Sequence, residues 1–174
     1  IHGPVPEGHY TVPIGQPRLV REGSDVTIVA SSYATLDSIK AATTLAHDGI
    51  EADVIDLRTL TPRDDTMILE SVRKTGRLIC VDQGTLTGGF AGEMVARITE
   101  QAFDHLKAAP ARITLPDCPT PTTRALSNYY YPTPNHIVAA AKRALGQPYD
   151  DPWAGIAPGD KTHDVPDSSF TGPF

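Results

Sequence analysis

The 174-residue sequence predicts an α/β fold, a three-layer α/β/α sandwich around a mixed five-stranded sheet with one antiparallel edge strand. Short β-branched runs alternate with amphipathic stretches of helical spacing, which is typical of parallel strands joined by crossover helices. Right-handed crossovers place helices on both faces of such a sheet. The first strand is the exception, because only residues 22–24 separate it from the second, and so short a connection joins antiparallel neighbours.

The five strands are predicted from short apolar runs that are bounded by turn residues. The other elements repeat the strand-to-helix unit of residues 53–62. In this unit, Val54, Ile55 and Leu57 form a buried run that we expect to be the central strand. The remaining strands are expected at residues 18–21, 26–30, 78–81 and 112–115.

Four helices are predicted from apolar residues that recur every three or four positions. They are expected over residues 35–48, 62–75, 90–106 and 135–145. Thr61 is a favourable N-cap and Pro62 a favourable first residue, so the second helix is predicted to begin at Pro62. Residues 116–134, with five prolines and three consecutive tyrosines, are expected to form an ordered surface excursion.

The composition divides the chain into three parts. We predict one folded domain over residues 17–146, since a chain of this length fits a single domain. Residues 1–16 are rich in Pro and Gly and are expected to form an extended arm. Residues 147–174 are expected to be a tail that either is disordered or lies against a neighbouring surface. The sequence does not begin with Met, which fits a processed product or an excised piece.

Charge and cysteine content argue against several classes of function. A net charge of −6 disfavours a broad nucleic-acid interface, because phosphates require a basic surface. No apolar run approaches the ~20 residues of a membrane span, and the amino terminus lacks signal-peptide features. We therefore expect a cytoplasmic protein with neither a nucleic-acid nor a membrane partner. Cys80 and Cys118 are predicted to be reduced thiols rather than a disulfide.

The carboxyl ends of the strands form the default binding crevice of an open parallel sheet. Asp56, Arg58 and Asp82 are the candidate crevice residues, and such a cluster could hold a cation or a polar ligand. Alternatively, Asp56 and Arg58 pair with each other and cap neighbouring helices. No metal-ligand spacing, serine elbow or other self-sufficient catalytic set is present in the sequence.

A glycine-rich loop precedes the third helix and matches neither the dinucleotide nor the phosphate-loop spacing. Its paired glycines could present amides to an anion, or they could allow close packing of the helix on the sheet. A candidate interface combines this helix start with the three consecutive tyrosines, since aromatic residues often dominate interfaces. It consists of Gly88, Gly89, Phe90, Glu93, Tyr129, Tyr130 and Tyr131. Two alternatives stay open, namely that Phe90 packs on its own sheet and that one tyrosine ring is buried.

Several stretches in combination resemble a known family. They are Val-Pro-Glu-Gly at 5–8, Tyr-Thr-Val-Pro-Ile-Gly at 10–15, residues 53–62, Val81-Asp82, and Thr-Gly-Gly-Phe-Ala-Gly-Glu at 87–93. Together they are similar to the carboxyl-terminal domain of transketolase-like thiamine enzymes. The resemblance is strongest to the beta subunit of the 2-oxoacid dehydrogenase decarboxylase component, of pyruvate, branched-chain or acetoin type. It spans residues 4–145 and implies the same mixed five-stranded sheet.

The resemblance implies an enzyme subunit that contributes assembly rather than chemistry. The parent enzyme would decarboxylate a 2-oxoacid oxidatively and transfer the acyl group to lipoamide, using thiamine diphosphate and magnesium. This chain alone is expected to bind neither and to be inactive, because the pyrimidine-binding domain with the activating glutamate is not part of it. The implied partners are the alpha subunit, a second beta subunit through a homodimer contact, and the lipoyl acyltransferase.

Three departures from the family pattern qualify the resemblance. Arg63-Asp64 stands where Leu-Asp is usual, Gln83 stands where Glu is common, and the chain continues for 29 residues past Leu145. The last departure puts docking through a terminal carboxylate in doubt. Two alternative functions are a stand-alone module for a small anion or nucleotide, and the carboxyl-terminal domain of a transketolase or deoxyxylulose-phosphate synthase relative.

Overall fold

The computed structural model describes residues 7–153 apart from two side chains, those of residues 124 and 125. The predicted arm and tail therefore lie partly outside the described residues. The strands are β1 (Arg18–Arg21), β2 (Val26–Ala30), β3 (Ala52–Asp56), β4 (Leu78–Thr85) and β5 (Ala111–Leu115). The helices are α1 (Tyr33–His47), α2 (Thr66–Thr75), α3 (Phe90–Ala102), α4 (Arg124–Ser127) and α5 (Pro134–Ala144), with a 3₁₀ turn at Phe103–His105.

The sheet confirms the predicted fold class. Its strand order is β1-β3-β2-β4-β5; the last four strands in sequence are parallel, and β1 runs antiparallel at one edge. Two details of the prediction were wrong. The central strand is β2 rather than β3, and β1 pairs with β3 rather than with β2.

The link between β1 and β2 explains the wrong pairing. It crosses the amino end of β3, where the amides of Ser24 and Asp25 both donate to the carbonyl of Glu51, at 3.0 and 2.8 Å. The amide of Gly23 donates to Asp53 Oδ1 at 2.7 Å. A Cβ atom on Gly23 would overlap the backbone of Ala52. A short link can therefore step over one strand because glycine allows the two backbones to touch.

Each face of the sheet carries its own apolar core. Ile28 and Val54 lie in the cluster beneath α1 and α5, whereas Val29 and Ile55 lie in the cluster beneath α2 and α3. Adjacent residues of one strand thus point to opposite faces, as the two-residue period requires. Burial on both faces accounts for the continuous apolar runs that predicted these strands.

The start of α2 differs most from its prediction. The helix begins at Thr66, and the predicted start lies in a loop over residues 57–65 where the Thr61–Pro62 peptide is cis. Asp65 is the N-cap residue, and the preceding Asp64 binds the first helical residue, because its Oδ1 accepts hydrogen bonds from the amide and the hydroxyl of Thr66, at 2.9 and 2.6 Å. A short helix, α4, lies within the predicted surface excursion.

The side chain of Leu57 supports a stability prediction. Leu57 follows β3, is 2% exposed and belongs to the core beneath α2 and α3, whereas Leu86 is 40% exposed. We expect Leu57→Ala to lower the free energy of unfolding by ~2–5 kcal/mol and Leu86→Ala by much less. Urea denaturation of both variants measures the difference. Similar losses in the two would contradict the assignment of Leu57 to the core.

Candidate functional site at the carboxyl edge of the sheet

Asp56 is engaged within the chain at the end of β3. Its half-buried carboxylate accepts hydrogen bonds from the Thr35 hydroxyl of α1 at 3.4 Å and from the backbone amide of Arg58 at 3.1 Å. The guanidinium of Arg58 is directed elsewhere, because the residue is exposed and has a left-handed backbone with φ 56°. The contact between the two residues therefore uses the backbone of Arg58 and not its charge.

The structure does not bring the three predicted crevice residues into one cluster. Asp56 is level with Ala30 of β2, which is level with Val81, the residue before Asp82. A whole strand therefore separates Asp56 from Asp82, and two inter-strand spacings amount to about 10 Å. Across residues 7–153, no group of three His, Cys, Asp or Glu side chains is placed to hold a metal ion.

Asp82 binds the start of α3. Its Oδ2 accepts a hydrogen bond from the amide of Ala91 at 3.3 Å, and a Cβ on Gly84 would lie only 2.8 Å from the same oxygen. An anion at a helix amino terminus is favourable because free amides and the helix dipole face it. Here the chain supplies that anion itself, with Glu93 adding further negative charge in the first turn of the helix.

The glycine-rich loop is shaped by contacts within the chain. Gly88 has φ +71°, and a Cβ on Gly89 would overlap the carbonyl oxygen of Thr85. Asp117 fixes the loop by accepting hydrogen bonds from the amide and the hydroxyl of Thr87, at 2.8 and 2.6 Å. The hydrogen bond from the Thr87 hydroxyl is the main cause that lowers the pKa of Asp117. The glycines therefore serve a tight turn that lies against β5.

Asp65 is a feature that sequence reasoning missed. Its carboxylate, 6% exposed, binds Arg63 at 2.5 Å and Arg97 of α3 at 2.7 Å. Burial acts to raise the pKa of Asp65, but the hydrogen bonds and charges of the two arginines outweigh it and hold that pKa below its usual value. The available signal was Arg63 itself, a cation where the family pattern has leucine.

The ring of Phe90 is in contact with Arg63, a member of this ion-pair network. The Arg63 guanidinium lies 5.1 Å from the centroid of the Phe90 ring, a cation–π distance. The ring is half-buried and packs against the core beneath α2 and α3. Of its neighbours in the candidate interface, Gly88 and Glu93 are exposed and Gly89 is half-buried.

The three tyrosines have three different environments. Tyr129 is 49% exposed, Tyr130 is 5% exposed, and Tyr131 is intermediate. The Tyr130 hydroxyl donates to the carbonyl of Cys118 at 3.3 Å. Tyr129 and the loop residue Leu86 line the same groove of about 290 Å³, so this groove separates the two parts of the candidate interface.

The family model "Transketolase, C-terminal domain" matches residues 15–137, from the arm to the start of α5. This match covers more than half of the chain and all five strands. The chain belongs to the transketolase C-terminal domain family.

Two relatives and one solved structure illustrate what this transketolase C-terminal domain is similar to. The beta subunit of acetoin:2,6-dichlorophenolindophenol oxidoreductase from Cupriavidus necator is 41% identical over 145 residues, which cover 83% of this chain and 43% of the relative. The pyruvate dehydrogenase E1 component subunit beta of Dictyostelium discoideum is 42% identical, covering 77% and 38%. A solved structure, "Split gene transketolase, inactive beta4 tetramer", is 31% identical with TM-score 0.67, covering 79% and 44%. The chain thus spans less than half the length of these relatives.

Two further observations concern the cysteines and the helices of the transketolase C-terminal domain. Both cysteines are free, as predicted. Burial raises the pKa of the Cys80 thiol to about 12, so that it is neutral at pH 7. Over residues 7–153, no helix combines the length and apolar character that crossing a membrane requires.

The free energy of unfolding of the domain should depend on pH through the carboxyl of Asp65. A carboxyl whose pKa is lowered on folding contributes stability above its unfolded pKa, and this contribution is lost as the pH falls through the folded value. We expect Asp65→Asn to cost about 2–4 kcal/mol at pH 7, because it leaves the buried Arg63 without its anion. The cost should begin to shrink below about pH 4, where the carboxyl of the unfolded chain becomes protonated, and should shrink further as the pH falls through the lowered pKa of Asp65 in the folded chain.

Urea denaturation at pH 7 and at pH 3 measures this difference. Asp64→Asn is the comparison variant, since Asp64 is an exposed neighbour that binds Thr66 and neither arginine. The hydrogen bonds from Thr66 also lower the pKa of Asp64, so a cost that is smaller than that of Asp65→Asn but shrinks in the same direction is expected there. An Asp65→Asn cost that is equal at the two pH values would contradict the ion-pair explanation.

Proposed function

We propose that this chain is the assembly and docking domain of the beta subunit of a thiamine-diphosphate-dependent 2-oxoacid dehydrogenase. The complete enzyme decarboxylates its substrate oxidatively and transfers the acyl group to lipoamide. The chain supplies contact surface to the alpha subunit, to a second beta subunit and to the lipoyl acyltransferase. Residues 17–146 form the domain, and the enzyme is cytoplasmic.

The observation that carries the proposal is the agreement between family and relatives. The family model covers the domain, and relatives at 37–42% identity over about four fifths of the chain are named as beta subunits of such enzymes. A subunit name on a relative concerns that protein, and we extend it to this chain because the match runs through the whole sheet. The covered length, 38–43% of those relatives, fits one domain of a larger subunit.

The residues present do not form a thiamine diphosphate site on their own. Magnesium on a diphosphate is held by one or two carboxylates in addition to phosphate oxygens and water. The carboxylates at the strand ends, Asp56, Asp82 and Asp117, each accept hydrogen bonds from donors of the chain itself. The amino terminus of α3, a place for a phosphate, is bound to Asp82. We therefore assign the cofactor and magnesium to other parts of the parent enzyme.

We keep the proposed contact surface at the residues that the sequence analysis named and rank these residues by their exposure. Gly88, Glu93 and Tyr129 are exposed and are the best candidates for partner contact. Phe90 packs between Arg63 and the core, so we expect it to fix the position of the exposed residues beside it rather than to contact a partner. Tyr130 is buried in its own chain and is left out of the surface.

Of the two alternative functions, a specific observation supports the transketolase relative and another disfavours the small-anion or nucleotide module. The structural similarity to a split-gene transketolase favours, as a second candidate, the same domain in a transketolase relative. The alternative of a small-anion or nucleotide module is disfavoured, because the Asp82 carboxylate and Glu93 both bring negative charge to the start of α3. An incoming anion would be repelled there.

Self-association of the chain tests the proposed surface. We expect a dimer by light scattering, and we expect Tyr129→Asp or Glu93→Lys to weaken it at least about tenfold while circular dichroism stays unchanged. Tyr10→Asp is the matched control, since Tyr10 is a similarly exposed tyrosine on the arm. A monomeric wild-type chain, or an equal effect of Tyr10→Asp, would contradict the proposed surface.

A further inference from the structure

The chain turns back on itself after α5. Gly146, with φ +67°, follows the end of the helix, and residues 147–153 then lie outside helices and strands. The contact of the Trp153 ring with His136 shows that these residues return to the first turn of α5. The return covers about 15 Å of helix, whereas seven extended residues reach up to about 25 Å. The segment therefore reaches His136 without being stretched.

Trp153 packs on two rings at the end of this return. Its ring centroid is 4.1 Å from that of His136, in an edge-on arrangement, and 6.2 Å from that of Tyr129, with 24° between the stacked ring planes. The backbone amide of Trp153 also donates to Asp151 Oδ1 at 3.0 Å, which fixes the turn that carries the ring. Offset and edge-on aromatic rings at such distances attract each other. Trp153 therefore covers part of the Tyr129 ring.

Tyr129 belongs to the proposed contact surface, so the inference drawn from this stack rests on the proposed function. A partner that packs on the same face of the Tyr129 ring has to take the place of Trp153. Trp153 is itself 38% exposed, and its segment carries no strand pairing. Segments with few buried contacts and no ladder of backbone hydrogen bonds open at a low cost in free energy.

We propose that residues 147–153 are an autoinhibitory strap, in which Trp153 competes with a second copy of this chain for the ring of Tyr129. The strap is closed when Trp153 stacks on Tyr129, and self-association requires it to open. The apparent affinity is lowered by the fraction of chains that are open. An aromatic pair of this kind favours the closed strap roughly fivefold, and in a two-fold dimer each of the two copies has to open its strap.

Removal of the Trp153 ring tests the competition. We expect Trp153→Ala to strengthen self-association at least about fivefold in light scattering, because the strap no longer holds Tyr129. Trp153→Phe keeps an aromatic ring and should stay within about twofold of the wild-type chain. Unchanged self-association of Trp153→Ala would overturn the proposal. Weaker self-association would also overturn it, because Trp153 would then be a contact and not a competitor.

The effect should pass through Tyr129. In a chain that carries Tyr129→Ala, we expect Trp153→Ala to have no further effect on self-association, and an equal strengthening there would contradict the proposal. Phe103→Ala is the matched control, since Phe103 is an exposed aromatic residue of the 3₁₀ turn that does not line the groove of Tyr129 and Trp153. It should leave self-association unchanged, and a strengthening equal to that of Trp153→Ala would count against the strap.

The variants distinguish a failure of the strap from a failure of the proposed contact surface. If Tyr129→Asp weakens the dimer and Trp153→Ala has no effect, the surface stands and the strap is wrong. If Tyr129→Asp leaves the dimer unchanged, the surface itself is wrong, and the strap falls with it. Circular dichroism of each variant checks that the fold is retained.

Fluorescence gives a second readout, because Trp153 is the only tryptophan in the sequence. Acrylamide quenching of the wild-type chain should rise with protein concentration, since association releases the Trp153 ring from Tyr129. A quenching constant that falls as the dimer forms would place Trp153 inside the contact and overturn the proposal. A quenching constant that stays the same while light scattering records dimer formation would overturn it as well.

Discussion

The carboxylate of Asp65 is the interaction on which the carboxyl edge of the domain depends. It joins Arg63, in the loop that follows β3, to Arg97 on α3. Arg63 in turn lies over Phe90 and donates to the carbonyl of Leu60 at 3.0 Å. One buried anion thus fixes the loop, the start of α2 and the start of α3 relative to one another. The network also holds the Phe90 ring next to the exposed residues of the proposed contact surface.

The other carboxylates of this edge are also used within the chain. Asp56 binds Thr35, Asp82 binds the first turn of α3, and Asp117 binds Thr87. A carboxylate has about four lone-pair sites, and in each of these residues at least one is used by a donor of the chain itself. These hydrogen bonds fix the shape of the edge, as the contact role that we propose for the domain requires.

The sequence predicted the sheet composition and its antiparallel edge because burial on two faces leaves a strong local pattern, as in Val26–Ala30. It placed β1 beside the wrong strand because the contact of Gly23 with Ala52 is a close approach in space that spacing does not reveal. It placed the start of α2 too early because Asp65, and not Thr61, is the N-cap residue, and Asp64 binds the first helical residue. The contact of Asp65 with Arg97 joins residues 32 positions apart, so only the local part of the network, Arg63 two residues before Asp65, left a signal in the sequence.

The central claim is that this domain supplies contact surface and that other parts of the proposed enzyme bind the cofactor. Calorimetric titration of the chain with thiamine diphosphate in the presence of magnesium tests it most directly. We predict no binding tighter than about 1 mM, because the carboxylates at the strand ends are bound to the chain's own donors. A dissociation constant in the micromolar range would contradict the claim and would place part of the cofactor site in this chain.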